Sequence, residues 1–423
     1  MPTFVGVPEV AKLPNGVTVK VYPDASLPLV SMAFVLDHPG VPGDSYTLRW
    51  LFSRAVLGGS ENRSADEARS YLAYFIAHPR VTLNDDGMVW SIDTIGDIWK
   101  SAFREVAMML STPTFDREGI ENAATACTYA HRRMQGVDAV VAQLRRKTFG
   151  SVHPSIPPDF VPCRTLHHDA LLAYRDRVLA PSTLTVVVAG DVSLAEVVAE
   201  ATDDFPGFVD HGTKPRSRPP RAPEAAPPTF SAVPIETSQQ AHVRMAFPGV
   251  GFTHRDLPVL SVLAEILGAG LTGRLDSKLR NEQGSTYGFH VSTEVGRTEG
   301  TVFVAGAVAK EDAVSALASL TKELDRVRSE PVLPAELALG KKLALGEVSR
   351  AYETPAEAAH DVAGLVLLGA PHRGALAQGI LATTAEDVRR VAATYLDRQK
   401  AHVVVGADLE TLEKIRLARE TAP

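Results

Sequence analysis

The chain has 423 residues, of which 45% are hydrophobic, and this length is too great for a single ordinary core. Its 43 Lys and Arg against 50 Asp and Glu give a net charge of −7, which argues against a broad nucleic-acid-binding surface. Cys127 and Cys163 are too few for a disulfide framework and stand apart from any short-spaced metal-binding pattern. We therefore expect several domains without a disulfide scaffold.

The amino-terminal and apolar segments indicate a soluble, cytoplasmic protein. Residues 1–9 lack the basic start and the continuous apolar run of a secretory signal. No stretch reaches the roughly 20 uninterrupted apolar residues that a membrane span requires. We expect no association with a membrane.

The apolar spacing along the first half predicts strands grouped with helices. The predicted strands cover 17–22, 30–36, 80–86, 88–95 and 185–191. The predicted helices cover 47–59, 98–110 and 116–149. Because the strands are grouped instead of alternating strictly with helices, this order favours an α+β fold over a parallel doubly wound sheet.

A proline-rich segment divides the chain nearly in half. Residues 214–229 hold six prolines in sixteen residues and almost no large apolar side chain. Such a composition is typical of an extended connector. We therefore predict one domain over 1–213, a linker over 214–229 and a second domain over 230–423.

Two echoes indicate that the halves are duplicates of each other. Pro39-Gly40-Val41 and Pro248-Gly249-Val250 each precede an apolar-periodic helix that ends in glycines. The β-rich run 185–191 matches 402–408, and each leads into a helix with an Asp or Ser/Thr start. We expect two lobes, each an α/β roll in which an antiparallel-rich sheet packs against helices.

The helix at 47–59 has one plain structural interpretation. Leu48, Leu51, Phe52 and Ala55 follow the i, i+3, i+4, i+7 spacing of an amphipathic core helix. In that interpretation, Arg49 and Ser53 lie on its polar face.

A second segment combines a glycine turn with two hydrogen-bond donors. Gly268, Gly270 and Gly273 are followed by Arg280 and, seven residues later, by Tyr287. The turn lacks the preceding strand and the Lys-Ser/Thr pair of a phosphate-binding loop. Taken alone, Arg280 and Tyr287 fit an ordinary surface arginine and a tyrosine that begins a strand.

The ordered set of these segments resembles the pitrilysin or insulinase-like zinc peptidases, in the small-subunit branch that includes bacterial and mitochondrial processing peptidases. The resemblance extends over nearly the whole chain. It rests on Leu13–Val17 before the first strands, the Pro-Gly-Val lead into a helix, Phe115–Glu118, Ala189–Asp191 and Gly268–Tyr287.

The resemblance implies that the zinc site is degenerate. Active members carry an inverted motif, His-x-x-Glu-His, in which two His bind zinc and the Glu activates the bound water. Arg49 and Ser53 stand in the two His positions, and Phe52 stands in the Glu position. The third ligand, a Glu on a later helix, corresponds to Ala130. A guanidinium repels a divalent cation, and a phenyl ring cannot accept a proton.

The resemblance gives Arg280 and Tyr287 a different role. In the family, the matching Arg and Tyr hydrogen-bond the peptide opposite the zinc and stabilise the developing oxyanion. In split enzymes they come from the subunit without zinc. The glycine turn at Gly268, Gly270 and Gly273 corresponds to a loop that contacts substrate. Ser285-Thr286 departs from the usual Leu-Ala before the Tyr.

The implied function is that of a noncatalytic, substrate-binding subunit in a heterodimeric zinc peptidase. The chain would be inactive alone and hold no cofactor, and zinc would sit in a homologous partner with an intact motif. The substrate would be an unfolded peptide, bound by strand addition to a sheet edge. A homodimer of the isolated chain is compatible with this. The alternative is an inert structural or assembly subunit that uses the peptidase fold as a scaffold.

Overall fold

The computed structural model describes residues 6–38, 46–74, 79–132, 135–150, 168–205, 229–282, 284 and 286–421. The described residues form two mixed sheets with helices packed against them, as the α+β prediction requires. The proline-rich segment 214–229 lies outside the described residues except for Thr229, and so do Pro39-Gly40-Val41 and Cys163. Cys127 is buried, as expected of an inert thiol.

The N-terminal sheet has six strands in the order β1-β2-β6-β3-β5-β4. The strands are β1 (Glu9–Lys12), β2 (Thr18–Pro23), β3 (Leu29–Leu36), β4 (Arg80–Leu83), β5 (Met88–Ile95) and β6 (Leu184–Gly190). Only the β2–β6 pair is parallel, and every other neighbouring pair is antiparallel. The sheet is therefore antiparallel-rich, in agreement with the sequence.

The C-terminal sheet has five strands in the order β7-β11-β8-β10-β9. The strands are β7 (Phe230–Pro234), β8 (Gln240–Pro248), β9 (Thr286–Val295), β10 (Gly300–Ala309) and β11 (His402–Ala407). Only β7 and β11 pair in parallel. This order repeats β2-β6-β3-β5-β4 of the first sheet, strand for strand in the sequence, so the predicted duplication is confirmed at the level of topology.

Fifteen α-helical segments are found in the described part of the chain. They are α1 (Tyr46–Ala55), α2 (Ala65–Tyr74), α3 (Trp99–Ser111), α4 (Arg117–Arg132), α5 (Val137–Phe149), α6 (His168–Val178), α7 (Leu194–Asp204), α8 (Leu257–Gly268), α9 (Arg274–Asp276), α10 (Ala313–Ser329), α11 (Pro334–Arg350), α12 (Pro355–Leu368), α13 (Gly374–Ala382), α14 (Ala385–Tyr395) and α15 (Leu409–Thr421). The short α9 continues into a π-helical segment, Ser277–Glu282.

The second echo marks equivalent places in the two halves. Strand β6 leads to Ser193, whose hydroxyl accepts from the backbone N–H of Glu196 and starts α7. Strand β11 leads to Asp408, whose carboxylate accepts from the backbone N–H of Thr411 at the start of α15. Both are side-chain caps that satisfy amide groups in the first turn of a helix.

The central strand β3 is apolar except for Ser31 because both faces of its sheet are covered. Met32 and Phe34 face the main helical layer, whereas Ala33 and Val35 face α12. In the second sheet, α5 supplies Val140 to the core on the corresponding face. Each sheet is thus covered on one face by a helix from the other half of the sequence.

The chain forms two compact units that reflect this exchange. The first contains 1–132, 152–219 and 349–372, and the second contains 133–151, 220–348 and 373–423. The single helix predicted over 116–149 is wrong, because the structure has α4 and α5 with Gly136 between them. Gly136 adopts φ +59°, a left-handed conformation that interrupts a helix.

Candidate functional site

Phe52, which the resemblance predicts to stand at the position of the catalytic Glu, is an aromatic residue of the core. Phe52 is fully buried in α1. Its ring centroid lies 5.0 Å from that of Tyr174, 5.8 Å from Phe115 and 6.4 Å from Trp90. These separations suit the tilted and edge-on packing that aromatic rings prefer. Phe52 therefore joins the first sheet to the surrounding helices and has no group that can move a proton.

Arg49 and Ser53, which the resemblance predicts to stand at the two His positions, are also buried. Arg49 is 5% exposed and Ser53 is 0% exposed, so the interpretation that placed them on a polar face is wrong. The reason is that most of the circumference of α1 is buried, including Trp50, so the helix has no exposed polar face at these two residues. Arg49 Nη2 donates to the carbonyl oxygen of Asn84 at 3.2 Å, and the Ser53 hydroxyl donates to that of Trp50 at 2.8 Å.

These residues do not fit a zinc ion. Ala130 lies half-buried on α4, where it packs against the same core and offers no ligand atom. With a guanidinium, a phenyl ring, a hydroxyl and a methyl group at the four positions, the site lacks imidazole and carboxylate donors. Among the described residues, no three His, Cys, Asp or Glu side chains come close enough together to hold a metal.

The three glycines of the C-terminal segment are explained by local packing. A Cβ on Gly268 would lie 2.3 Å from the backbone nitrogen of Val291 in β9, so this glycine permits close contact between α8 and the strand. A Cβ on Gly273 would lie 2.7 Å from the carbonyl oxygen of Leu267. Gly270 has φ +53°, which favours glycine. Their predicted contact with substrate stays a prediction.

Arg280 lies on the π-helical segment that connects this turn to β9. It is an exposed residue. Gly284, with φ +67°, donates its backbone N–H to the carbonyl oxygen of Arg280 at 3.0 Å and closes the helical end. Earlier in the turn, Arg274 donates from Nε and Nη2 to the Glu336 carboxylate at 2.7 and 2.8 Å. That paired guanidinium holds the pKa of Glu336 below its usual value.

Tyr287 is the extra residue of a β-bulge. Ala307 of β10 pairs with Gly288, and the next residue, Val308, pairs with Thr286, so Tyr287 has no partner in the register. A bulge of this kind bends the strand and changes the direction of a side chain. The structure describes the backbone of Tyr287 and not its side chain.

Two buried side chains hold this bulge, and neither was identified from the sequence as a functional residue. The Thr286 hydroxyl donates to the Ala307 carbonyl oxygen at 2.5 Å and accepts from the Gly288 N–H at 3.0 Å. The Asp276 carboxylate, on a residue 2% exposed, accepts from the Phe289 N–H. The sequence did contain a signal for Thr286, because this residue replaces the usual alanine before the tyrosine and its hydroxyl makes hydrogen bonds that alanine cannot make.

Comparisons with known proteins identify the class of this fold. Residues 165–343 match the peptidase M16 inactive domain. The described chain resembles the crystal structure of a peptidase M16 inactive domain from Pseudomonas fluorescens, with a TM-score of 0.82, 15% identity, and coverage of 95% of this chain and 98% of that one. The family resemblance drawn from the sequence is therefore confirmed to this extent: residues 165–343 match the M16 inactive domain, and the chain has the fold of that crystal structure.

The chain matches only parts of some longer proteins. An uncharacterized zinc protease of Mycobacterium tuberculosis is 25% identical over 245 residues, which is 56% of this chain and 54% of that protein. The chain thus spans about half the length of the curated relatives it matches. The periplasmic protease PqqL of Escherichia coli has a TM-score of 0.79 at 14% identity, covering 96% of this chain and 48% of PqqL. No helix in the described ranges is long and apolar enough to cross a bilayer.

Proposed function

We propose that this chain is the noncatalytic, substrate-binding subunit of a heterodimeric zinc metallopeptidase. Arg280 and Tyr287 act on the peptide held at a zinc ion of a homologous partner subunit. The partner carries an intact His-x-x-Glu-His motif, and the substrate is an unfolded peptide. The chain alone is inactive.

The observation that carries this proposal is the way Arg280 and Tyr287 are presented. An exposed Arg280 and a bulged Tyr287 lie on consecutive segments tied by Gly284, Thr286 and Asp276. Donors held in place before a reaction stabilise developing negative charge more effectively than mobile ones. The burial of Arg49, Phe52 and Ser53 in α1 supports a metal supplied by another subunit, because none of these side chains is an imidazole or a carboxylate.

The edge of the C-terminal sheet supports the proposed mode of peptide binding. Strand β9 is terminal in the order of the described strands, and it carries Tyr287 near its start. An edge strand offers backbone donors and acceptors to an extended peptide and tolerates varied side chains. Addition of a peptide strand along β9 would place its backbone beside the Tyr287 bulge.

The similarity to PqqL bears on two points, the size of a complete enzyme and the cellular compartment. The chain matches about half of PqqL, so a fold of this size occurs as part of a protease about twice as long. PqqL is described as periplasmic, whereas our sequence prediction for this chain is the cytoplasm. Fractionation of the producing cells, followed by immunoblotting, tests the compartment directly.

Reconstituted hydrolysis tests the function. The partner is captured from extract of the source cell, identified by its intact zinc motif, and purified with this chain. We expect Arg280→Ala and Tyr287→Phe each to lower kcat for peptide hydrolysis by on the order of 10² to 10³-fold while the pair still assembles. Arg389→Ala and Tyr129→Phe, at exposed positions on α14 and α4, are the matched controls. Unchanged turnover in all four variants would instead favour the scaffold function.

A further inference from the structure

One face of the C-terminal sheet carries an unusual row of basic and small residues. In the register of β8, β10 and β9, Arg244 lies opposite Ala305, which lies opposite His290. In the next row on the same face, His242 lies opposite Ala307, which lies opposite Gly288. Since cross-strand partners project to the same side, these rows form one continuous surface that ends beside the Tyr287 bulge.

Helix α5 covers part of this face: it packs on β11 at Val404, which lies opposite Arg244, and extends farther along β8 and β9. Leu144 belongs to the core cluster that includes Ala246, and Arg145 donates to the Glu294 carboxylate at 3.0 and 3.3 Å. Near Arg244 the surface is more open, because Ala305 and Ala307 are only partly buried and His290 is exposed. Their methyl groups leave room above the sheet for a ligand group.

The positive charge of Arg244 has no acidic partner among the described residues. Its two hydrogen bonds both come from Nη1, to the carbonyl oxygens of Val243 at 2.9 Å and Gly306 at 2.8 Å. No ion pair among the described residues involves Arg244. Partial burial lowers the pKa of the guanidinium, and together with burial its positive charge lowers the pKa of His242. A half-buried cation without a counter-ion is unfavourable until an anion joins it.

We propose that Arg244 binds a carboxylate of the peptide substrate on the open face of β8, β10 and β9. Nε and Nη2 of Arg244 form the fork that receives the two oxygens, and His242 and His290 flank it. This proposal rests on the peptide-binding function proposed above and adds to it a substrate class, peptides that present a carboxylate near the bound segment. The carboxylate comes from an acidic side chain or from the peptide C-terminus.

Direct binding of peptides by the full-length chain tests this without the partner. Three fluorescein-labelled Ala/Ser/Val peptides serve as probes in anisotropy titrations. The first has a central Glu and an amidated end, the second has Gln in its place, and the third is the Gln peptide with a free C-terminal carboxylate. We expect the Glu peptide to bind on the order of ten- to a hundredfold more tightly than the amidated Gln peptide.

The third probe distinguishes the two sources of the carboxylate. Tighter binding of the free-ended Gln peptide than of the Glu peptide assigns Arg244 to the C-terminus, and the reverse assigns it to a side chain. Either result supports the site. Equal affinity for all three peptides, or no binding of any of them, would overturn it.

Variants connect the preference to Arg244. Arg244→Gln should abolish the discrimination, and Arg244→Lys should keep part of it because the charge stays while the fork is lost. Arg389→Gln, at a partly exposed side chain on α14, should leave the discrimination unchanged. Should Arg244→Gln fail to fold, Arg244→Lys, which keeps the charge, decides: discrimination equal to that of the wild type would overturn the site. If the chain prefers the carboxylate peptides but the Arg280→Ala and Tyr287→Phe complexes hydrolyse peptide as fast as the wild type, the proposed function is rejected and this site is not. If those two variants lose hydrolysis but the chain shows no carboxylate preference, this site is rejected and the proposed function is not.

Discussion

Replacing Phe52 by the Glu of an active zinc motif should unfold much of the first compact unit instead of restoring chemistry. Removal of a buried Phe ring costs about 3 to 5 kcal/mol, and Phe52 is fully buried against three other rings. A Glu there also has to bury a carboxyl group, which adds about 1 to 3 kcal/mol if it finds no partner. We expect Phe52→Glu to lower the free energy of unfolding by at least about 4 kcal/mol.

Tryptophan fluorescence during urea unfolding measures this effect in the right place. The chain has three tryptophans, Trp50, Trp90 and Trp99, and all three belong to the first compact unit. Phe52→Leu retains most of the apolar volume and should cost under about 1.5 kcal/mol. Tyr129→Glu, at a residue 65% exposed, should stay within about 0.5 kcal/mol of the wild type. Equal stability of Phe52→Glu and Tyr129→Glu would refute the core role of Phe52.

Three other perturbations test separate features of the fold. Thr286→Val should lower kcat of the reconstituted pair in the direction of Tyr287→Phe, whereas Thr286→Ser should retain it; equal kcat in both would contradict the role of the bulge hydroxyl. Gly268→Ala should lower the free energy of unfolding, followed by circular dichroism, by about 1 to 3 kcal/mol, because its methyl would meet β9. Gly364→Ala, where a Cβ has open space, should not destabilise, and an equal loss in both would refute the argument. Burial raises the pKa of Asp204 to about 6, so its protonated form favours the folded state, and this stability should be lost as pH rises from about 4 to about 6. In urea unfolding followed by tryptophan fluorescence, Asp204→Asn should lack that part of the pH dependence; identical pH profiles would contradict it.

The strands and the duplication could be predicted because their signals are local. β5 was predicted with its observed bounds, and β3 began one residue earlier than predicted. The echo of 185–191 and 402–408 corresponds to equivalent strands, β6 and β11. A two-residue period with turn residues at each end depends on neighbours in the chain, so it can be recognised without tertiary information.

Other features depended on contacts between distant segments. The covering of the first sheet by α12 follows from apolar residues such as Val362 meeting Ala33 and Val35, and no local pattern specifies that pairing. The bulge at Tyr287 depends on hydrogen bonds to β10 and on Asp276, eleven residues earlier. The sequence motif therefore located Arg280 and Tyr287, whereas the conformation of the segments that carry them depends on the tertiary structure.

The equivalent helices of the two halves show what the loss of zinc ligands means physically. Helix α8 follows β8 as α1 follows β3, and every buried residue of α8 is apolar or glycine. Helix α1 instead buries Arg49 and Ser53, which donate to backbone carbonyl oxygens from Arg49 Nη2 and from the Ser53 hydroxyl. Packing in this place in the fold therefore does not itself require the two polar side chains. Arg49 and Ser53 are four residues apart, at the positions that the sequence resemblance predicts for a ligand pair, and Phe52 on the same turn packs in an aromatic cluster. Converting α1 into a metal site would therefore require giving up part of that core. Under the function proposed here, a complex containing this chain uses a metal from its partner, and this chain offers to the substrate the side chains of the β9 bulge and of the turn before it.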